Sequence, residues 1–159
     1  ALEMRDVIRV LKREDGPIDL EKKSIYLSGL ILEMAGKARK GQGKKLAQQI
    51  LESKKAYLKF EEIIKAQGGK VISPKLAKFS EPVSLNKKGT IKSIDNHKIN
   101  FIARLAGCPV DKGSGIYLHK HVGDKLVDGE AILTIYSESK AKLKEAVSFF
   151  KLDSPIVLH

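Results

Sequence analysis

Apolar residues recur at three- and four-residue spacing from the first positions of the chain. Met4, Val7, Ile8 and Leu11 predict one face of a helix over Leu2 to Lys12. Asp15-Gly16-Pro17 stops it. A second helix is expected after Pro17, with Asp19 as its cap and Glu21 in its first turn. Leu20, Leu27, Leu30, Ile31 and Met34 make that helix apolar over much of its circumference, the pattern of a helix buried between neighbours. Gly36 ends it, and residues 37–43 form a basic, glycine-containing loop. Lys44 to Ser53 and Lys54 to Gln67 read as two further helices. Leu46, Ile50 and Leu51 face inward on the first, and Tyr57, Phe60, Ile63 and Ile64 on the second. Gly68-Gly69 supplies a left-handed end to the last helix.

The rhythm changes beyond Pro74 and Pro82, where periodicity is weak. Val83-Ser84-Leu85 and Thr90 to Ile94 alternate as strands around a turn at Asn86 to Gly89. A short helix is expected over Asn100 to Leu105, with Ile99, Phe101, Ile102 and Leu105 on one side, ended by Gly107. Strands follow at Gly115 to His119, around Lys125 to Val127, and at Ala131 to Tyr136. A helix capped by Ser137 then runs from Glu138 to Phe150 with Ala141, Leu143, Ala146, Val147 and Phe150 inside, and Ile156 to Leu158 returns as a strand. The expected division is a helical segment over 1–72, a linker over 73–82, and an α+β domain over 83–159.

Composition narrows the class. The chain has 159 residues, 42% of them hydrophobic, which is enough for a folded core. It has no apolar run of membrane-spanning length and no signal-peptide pattern, and Cys108 has no partner for an internal disulfide. A cytoplasmic setting is the expectation. The net charge is +11, yet the lysines fall singly or in pairs, and the few aromatics do not interleave with arginine as a stacking platform requires. A solvated, lysine-rich surface accounts for the charge, and nucleic acid is not the expected partner. The opening Ala1-Leu2-Glu3-Met4 enters a helical pattern directly, so a trimmed fragment is expected.

Several residues invite chemical readings. Val122-Gly123-Asp124 through Val127-Asp128-Gly129 to Leu133 is a glycine-marked pair of short strands and tight turns. Lipoyl and biotinyl carriers and other barrel-sandwich hybrids use the same device. The Asp-Lys-Ala or Met-Lys-Met of a modified lysine does not occur, so a structural role is expected. His119 and His121, two apart on a predicted strand, face one side but have no third ligand nearby, so surface or inter-subunit contacts are expected and no metal. His97 reads as structural and Cys108 as a small buried residue. Asp111 to Gly115 lacks the Gly-Lys-Ser/Thr ending of a phosphate loop and reads as a turn.

Together, ordered motifs carry a specific resemblance. These are Ala1-Leu2-Glu3 before a Val-Ile-x-x-Leu helix, Leu27-Ser28-Gly29-Leu30-Ile31-Leu32-Glu33-Met34, and Ala66-Gln67-Gly68-Gly69. They continue with Ile102-Ala103-Arg104-Leu105-Ala106-Gly107, Asp111 to His119, Val122-Gly123-Asp124, and Leu133 to Ser137. In this order they resemble the carboxy-terminal portion of the thymidine, pyrimidine-nucleoside and archaeal AMP phosphorylases. The resemblance implies a barrel-sandwich-hybrid-like α/β domain after the helices, and phosphorolysis of a nucleoside or nucleotide, with inorganic phosphate as co-substrate and no cofactor. It implies homo-oligomers and no membrane partner. It places the phosphate loop and the proton donor upstream of Ala1, so no catalytic residue is expected in the chain, which is expected to be inactive alone. Lys23 falls where the archaeal branch has a substrate-contacting lysine. Its alternative is a solvated helix-surface lysine. The alternative for the whole chain is a basic binding module for nucleic acid or a protein partner.

Overall fold

A computed structural model describes residues 1–70 and 74–159, and the expected boundary between 72 and 73 lies outside the described residues. Packing divides the chain into a helical unit beginning at Glu3 and a strand-rich unit beginning at Pro74. The fold is α+β, with helices first and a sheet-containing domain after them.

Among the described residues, the helical unit holds four helices: α1 (Leu2–Lys12), α2 (Ile18–Met34), α3 (Gly43–Glu52) and α4 (Lys55–Ala66). Gly16 ends the first turn-back by packing on α1, since a Cβ there would lie 2.6 Å from Val10 Cγ2. Pro17, not Asp19, occupies the N-cap of α2. Proline fixes φ and spares a donor at a helix start, and Asp19 and Glu21 complement the helix dipole from the first turn. Gly68, at φ +76, follows the C-cap of α4 as expected, and Gly69 N–H donates to the Ile64 carbonyl at 2.9 Å. The burial of α2 departs from expectation. Only Gly29 is fully buried on it: α3 covers one side, Ile25 and Leu32 are half-buried, and Leu20, Leu27, Leu30, Ile31 and Met34 are exposed.

The strand-rich unit holds β1 (Phe79–Ser84), β2 (Gly89–Ile94), α5 (Asn96–Leu105), β3 (Gly115–Leu118), β4 (Lys125–Leu126), β5 (Ala131–Ser137), α6 (Lys140–Leu152) and β6 (Ile156–Leu158). It contains two three-stranded antiparallel sheets, ordered β1-β5-β3 and β4-β2-β6. The first strand already starts at Phe79, where the sequence pattern suggests linker, because residues 79–82 pair with β5. β1 and β2 are not partners across their turn. Val83 pairs with Leu133 and Thr90 with Lys125, so residues 85–88 carry the chain from one sheet to the other.

Alternation alone cannot choose between these pairings, but burial can. Val83, Ile91, Leu126, Ile132, Leu133, Ile135 and Ile156 from the strands meet Ile102, Leu143, Ala146, Val147 and Phe150 from the helices in one core. Central β5 supplies three of its apolar side chains, and truncating a residue such as fully buried Phe150 to alanine costs about 3–5 kcal/mol. Two helix starts differ from the pattern. α5 begins four residues early, because the Asp95 carboxylate accepts from His97 N–H at 2.9 Å. α6 is capped by Ser139, while Ser137 ends β5, fully buried, with its hydroxyl donating to the Ala106 carbonyl at 2.7 Å. Ala141 is exposed at the outer face of α6.

Candidate functional site

Lys23 stands on the second turn of α2 and is exposed. Leu20, Leu27, Leu30 and Met34 lie three, four, seven and eleven positions from it, which places them on the same helix face. Each of these four is itself an exposed apolar residue. No hydrogen bond or ion pair joins the Lys23 ammonium to another described residue, and exposed Asp19 and Tyr26, four residues before it and three after, share its side of the helix with the apolar residues. In water such a cation contributes little to anion binding, because the phosphate it would pair with keeps its hydration.

The motif containing Gly29 and Glu33 works on the other side of the helix. A Cβ at Gly29 would lie 2.6 Å from Lys44 N, and one at Gly43 would lie 2.0 Å from Gly29 O. The backbones of α2 and α3 therefore touch directly, and only glycine permits it. Gly43 opens α3, so its N–H has no partner within that helix. Glu33 supplies one, its Oε1 accepting at 2.8 Å. Hydrogen bonds from Gly43 and then Gly41, with the Lys40 charge, hold this carboxyl below its ordinary value of 4.5, against a smaller opposing effect of burial. The sequence pattern shows a buried helix here and misses the clasp. Its signal was a helical Gly-x-x-x-Glu followed by a glycine-flanked helix start.

Beside these residues lies a groove of about 360 Å³ within the helical unit, lined by Val10, Leu11, Ile25, Leu32 and Ile50 among others, with Ser24 and Ser28 as its polar members. No charged side chain lines it, so it suits an apolar occupant and not a phosphate.

The strand-rich unit disperses the other candidates. β3 ends at Leu118, so His119 and His121 lie beyond the strand on which they were expected. His119 Nε2 is 2.7 Å from Thr134 Oγ1, and its ring meets Tyr117 edge-on at 5.1 Å. His121 Nδ1 is 3.8 Å from the Asp124 carboxylate. Among the described residues no group of three His, Cys, Asp or Glu comes together as metal ligands. Cys108 is half-buried, where full burial was expected, since its neighbours Pro109 and Val110 are exposed. The 111–115 segment is a tied-down turn. Asp111 pairs with Lys142 at 2.8 Å, and the Ser114 hydroxyl accepts from Glu138 N–H at 3.2 Å. A Cβ at Gly113 would lie 2.4 Å from Glu138 Oε1, which leaves that spot no room for a ligand. In the glycine-marked segment, Gly123 and Gly129 adopt φ +93 and +77, while Leu126 between them is buried. These glycines shape scaffold.

Similarity to known proteins agrees with this distribution. Residues 90–156, from β2 to β6, match the pyrimidine nucleoside phosphorylase C-terminal domain. The chain is 43% identical, over 99% of its length, to a Legionella pneumophila (strain Corby) protein named "Putative thymidine phosphorylase", and covers 31% of it. It is 42% identical over 98% of its length to an AMP phosphorylase of Pyrococcus furiosus, covering 32%. It is also 42% identical over 99% of its length to an AMP phosphorylase of Methanococcoides burtonii, covering 32%. The chain thus spans about a third of the length of these relatives. With its motifs in family order and its last domain matched from β2 to β6, the chain belongs to the thymidine and pyrimidine-nucleoside phosphorylase family, of which it is a carboxy-terminal portion.

Proposed function

We propose that this chain is the carboxy-terminal part of an enzyme that cleaves the N-glycosidic bond of a nucleoside or nucleoside monophosphate with inorganic phosphate. The observation that carries the reading is 41–43% identity across nearly the whole chain to proteins named AMP phosphorylase and thymidine phosphorylase. A phosphate oxygen bonds to C1′ as the C1′–N bond breaks. The electron pair leaves with the base, which takes up a proton. AMP and phosphate then give adenine and ribose 1,5-bisphosphate, and thymidine and phosphate give thymine and deoxyribose 1-phosphate. Such chemistry needs an anion cradle, charge stabilisation at the ribose and a proton donor. The family resemblance, which assigns the phosphate loop and the proton donor to the portion that precedes the matched span in the relatives, is what supports a structural and oligomerising role for this portion and the absence of activity on its own. No further cofactor is called for, and a nucleotide substrate suits a cytoplasmic enzyme. No described helix is long and apolar enough to cross a membrane.

Lys23 is the proposed substrate-binding residue, its ammonium meeting the nucleotide phosphate. Such a charge-assisted bond is worth about 1.5–3 kcal/mol, or roughly 10- to 150-fold in affinity. The test compares this chain with a version carrying the preceding portion of a relative, using AMP and thymidine with phosphate. Base release by the longer protein alone is expected. In it, Lys23→Ala raises KM for AMP by about 10- to 150-fold and leaves thymidine, which has no phosphate, unchanged. Absence of base release from both proteins, with salt-sensitive retardation of an oligonucleotide, would favour a basic binding module instead.

A further inference from the structure

We propose that the hollow between residues 85–88 and β6 binds a phosphate monoester that carries a small apolar body. Residues 85–88 pass from one sheet to the other, and both ends of that passage are fixed. Ser84 is paired with Ala131 on β5, and Gly89 with Leu126 on β4. A Cβ at Gly89 would lie 2.7 Å from the His159 carbonyl oxygen, so glycine brings the end of the connector directly against the end of β6. The strand is held in turn. Asp95 N–H donates to the Pro155 carbonyl at 2.8 Å, and His159 N–H to the Thr90 carbonyl at 2.9 Å. Connector and strand enclose a hollow of about 550 Å³, a size that suits a small ligand.

The lining side chains identify the ligand class. Ile156 belongs to the core of the strand-rich unit and Leu85 and Leu158 pack against it, so the three form an apolar floor. Lys87 and Lys88 stand exposed at the rim, neither joins an ion pair among the described residues, and no carboxylate lines the hollow. Asp153, next to Ser154 in the chain, is already engaged by Lys98. The neighbouring hollow, which shares Leu85 and Lys87, differs in kind, because Glu81 lines it and supplies a counter-charge. Ser154 Oγ accepts from Ile156 N–H at 3.2 Å, which leaves the hydroxyl hydrogen to donate into the first hollow. Two ammoniums and a hydroxyl, with no acid, select an anion. Adjacent cations match the charge of a phosphate monoester better than that of one carboxylate. Lysines at a water-facing rim hold an anion only weakly by charge alone. The floor adds to this, since an aromatic ring or short alkyl chain laid on it leaves water. A purine fits the floor less well, because Ser154 is its one uncharged polar side chain and most ring nitrogens would go unpaired.

The test titrates phenyl phosphate into the 159-residue chain at low salt and follows its backbone amide signals by nuclear magnetic resonance. Saturable shifts are expected at residues 85–88 and 154–158, with a Kd on the order of 1–10 mM for so small a ligand. Inorganic phosphate has the charge without the ring, and benzoate has the ring with a single charge. Each should bind at least about threefold more weakly. The double variant Lys87→Ala/Lys88→Ala should weaken phenyl phosphate by about fivefold or more. Lys44→Ala/Lys45→Ala removes the same charge from exposed positions on α3 and should leave the Kd within about twofold. Both variants alter exposed side chains, and the amide spectrum itself reports that each remains folded. Absence of saturable shifts at these residues would overturn the proposal, as would shifts centred elsewhere or a Kd that the Lys87/Lys88 variant does not change. Equal affinity for benzoate would overturn the assignment to phosphate. The measurement involves no base release, so its outcome stands whether or not the longer protein cleaves nucleosides.

Discussion

Gly107 combines two constraints, a φ of +115 and a Cβ position 2.2 Å from Asp111 Oδ2. Gly107→Ala therefore strains the backbone and displaces the carboxylate that pairs with Lys142. A loss of about 1–3 kcal/mol is expected in urea unfolding followed by far-ultraviolet circular dichroism. Gly129, by contrast, has open space around its absent Cβ, so only its φ of +77 opposes a side chain. Gly129→Ala should cost about 1–2 kcal/mol, and Gly129→Asn less, because asparagine tolerates the left-handed region. Glu33 is a pH-sensitive residue of the same local kind. Its carboxyl is depressed below 4.5 by amide hydrogen bonds, so its contribution is present above that value and lost as pH falls through the lowered folded value. Tm of wild type should exceed that of Glu33→Gln at neutral pH, and the gap should close as the solution is acidified below 4.5. A gap that stays constant with pH would show that Glu33 acts through packing alone.

Elements depend on which of these local devices meet. The α2–α3 pair is set by glycine-to-backbone contact, so Gly29→Ala forces a Cβ to 2.6 Å from Lys44 N and must push the helices apart. A cost of about 1–3 kcal/mol is expected, with earlier loss of helical signal and no shift in the near-ultraviolet signal of Tyr117 and Tyr136 in the strand-rich unit. In the strand-rich unit, Ser137 joins the end of β5 to the end of α5 through Ala106. Ser137→Ala leaves a buried carbonyl without its donor, a loss of about 1–3 kcal/mol by chemical denaturation. Ser139→Ala removes an exposed cap and should cost only about 1 kcal/mol. The sequence pattern assigns the cap to Ser137 because two serines flank one glutamate, and local pattern does not say which hydroxyl is buried. In the same way, Val83 and Ile91 were legible as strand residues, while their partners Leu133 and Leu158 were not. Pairing is fixed by which apolar faces close on Phe150 and Ile102, and that is a property of the assembled core.

At the scale of the whole molecule, charge and apolar exposure set behaviour. The net charge of +11 is spread over single and paired lysines, so any retention of oligonucleotide by the chain should be weak and should vanish between about 50 and 200 mM salt. Tight binding that survives that range would contradict the family reading. Sequence by itself determined the helix and strand content, the change of rhythm after Pro74, the turn glycines and the family, because periodicity, φ preference and motif order are written locally. Lys23 could also be singled out from sequence, through the resemblance. Tertiary structure alone decided that β1 and β2 part company into two sheets, that Glu33 holds the start of α3, and that apolar residues of α2 stand exposed beside Lys23. Each of those depends on how whole elements pack, from the ten residues between Glu33 and Gly43 to the separation of Val83 from its partner Leu133. The outcome is settled by packing and satisfied hydrogen bonds, which no single stretch of sequence contains.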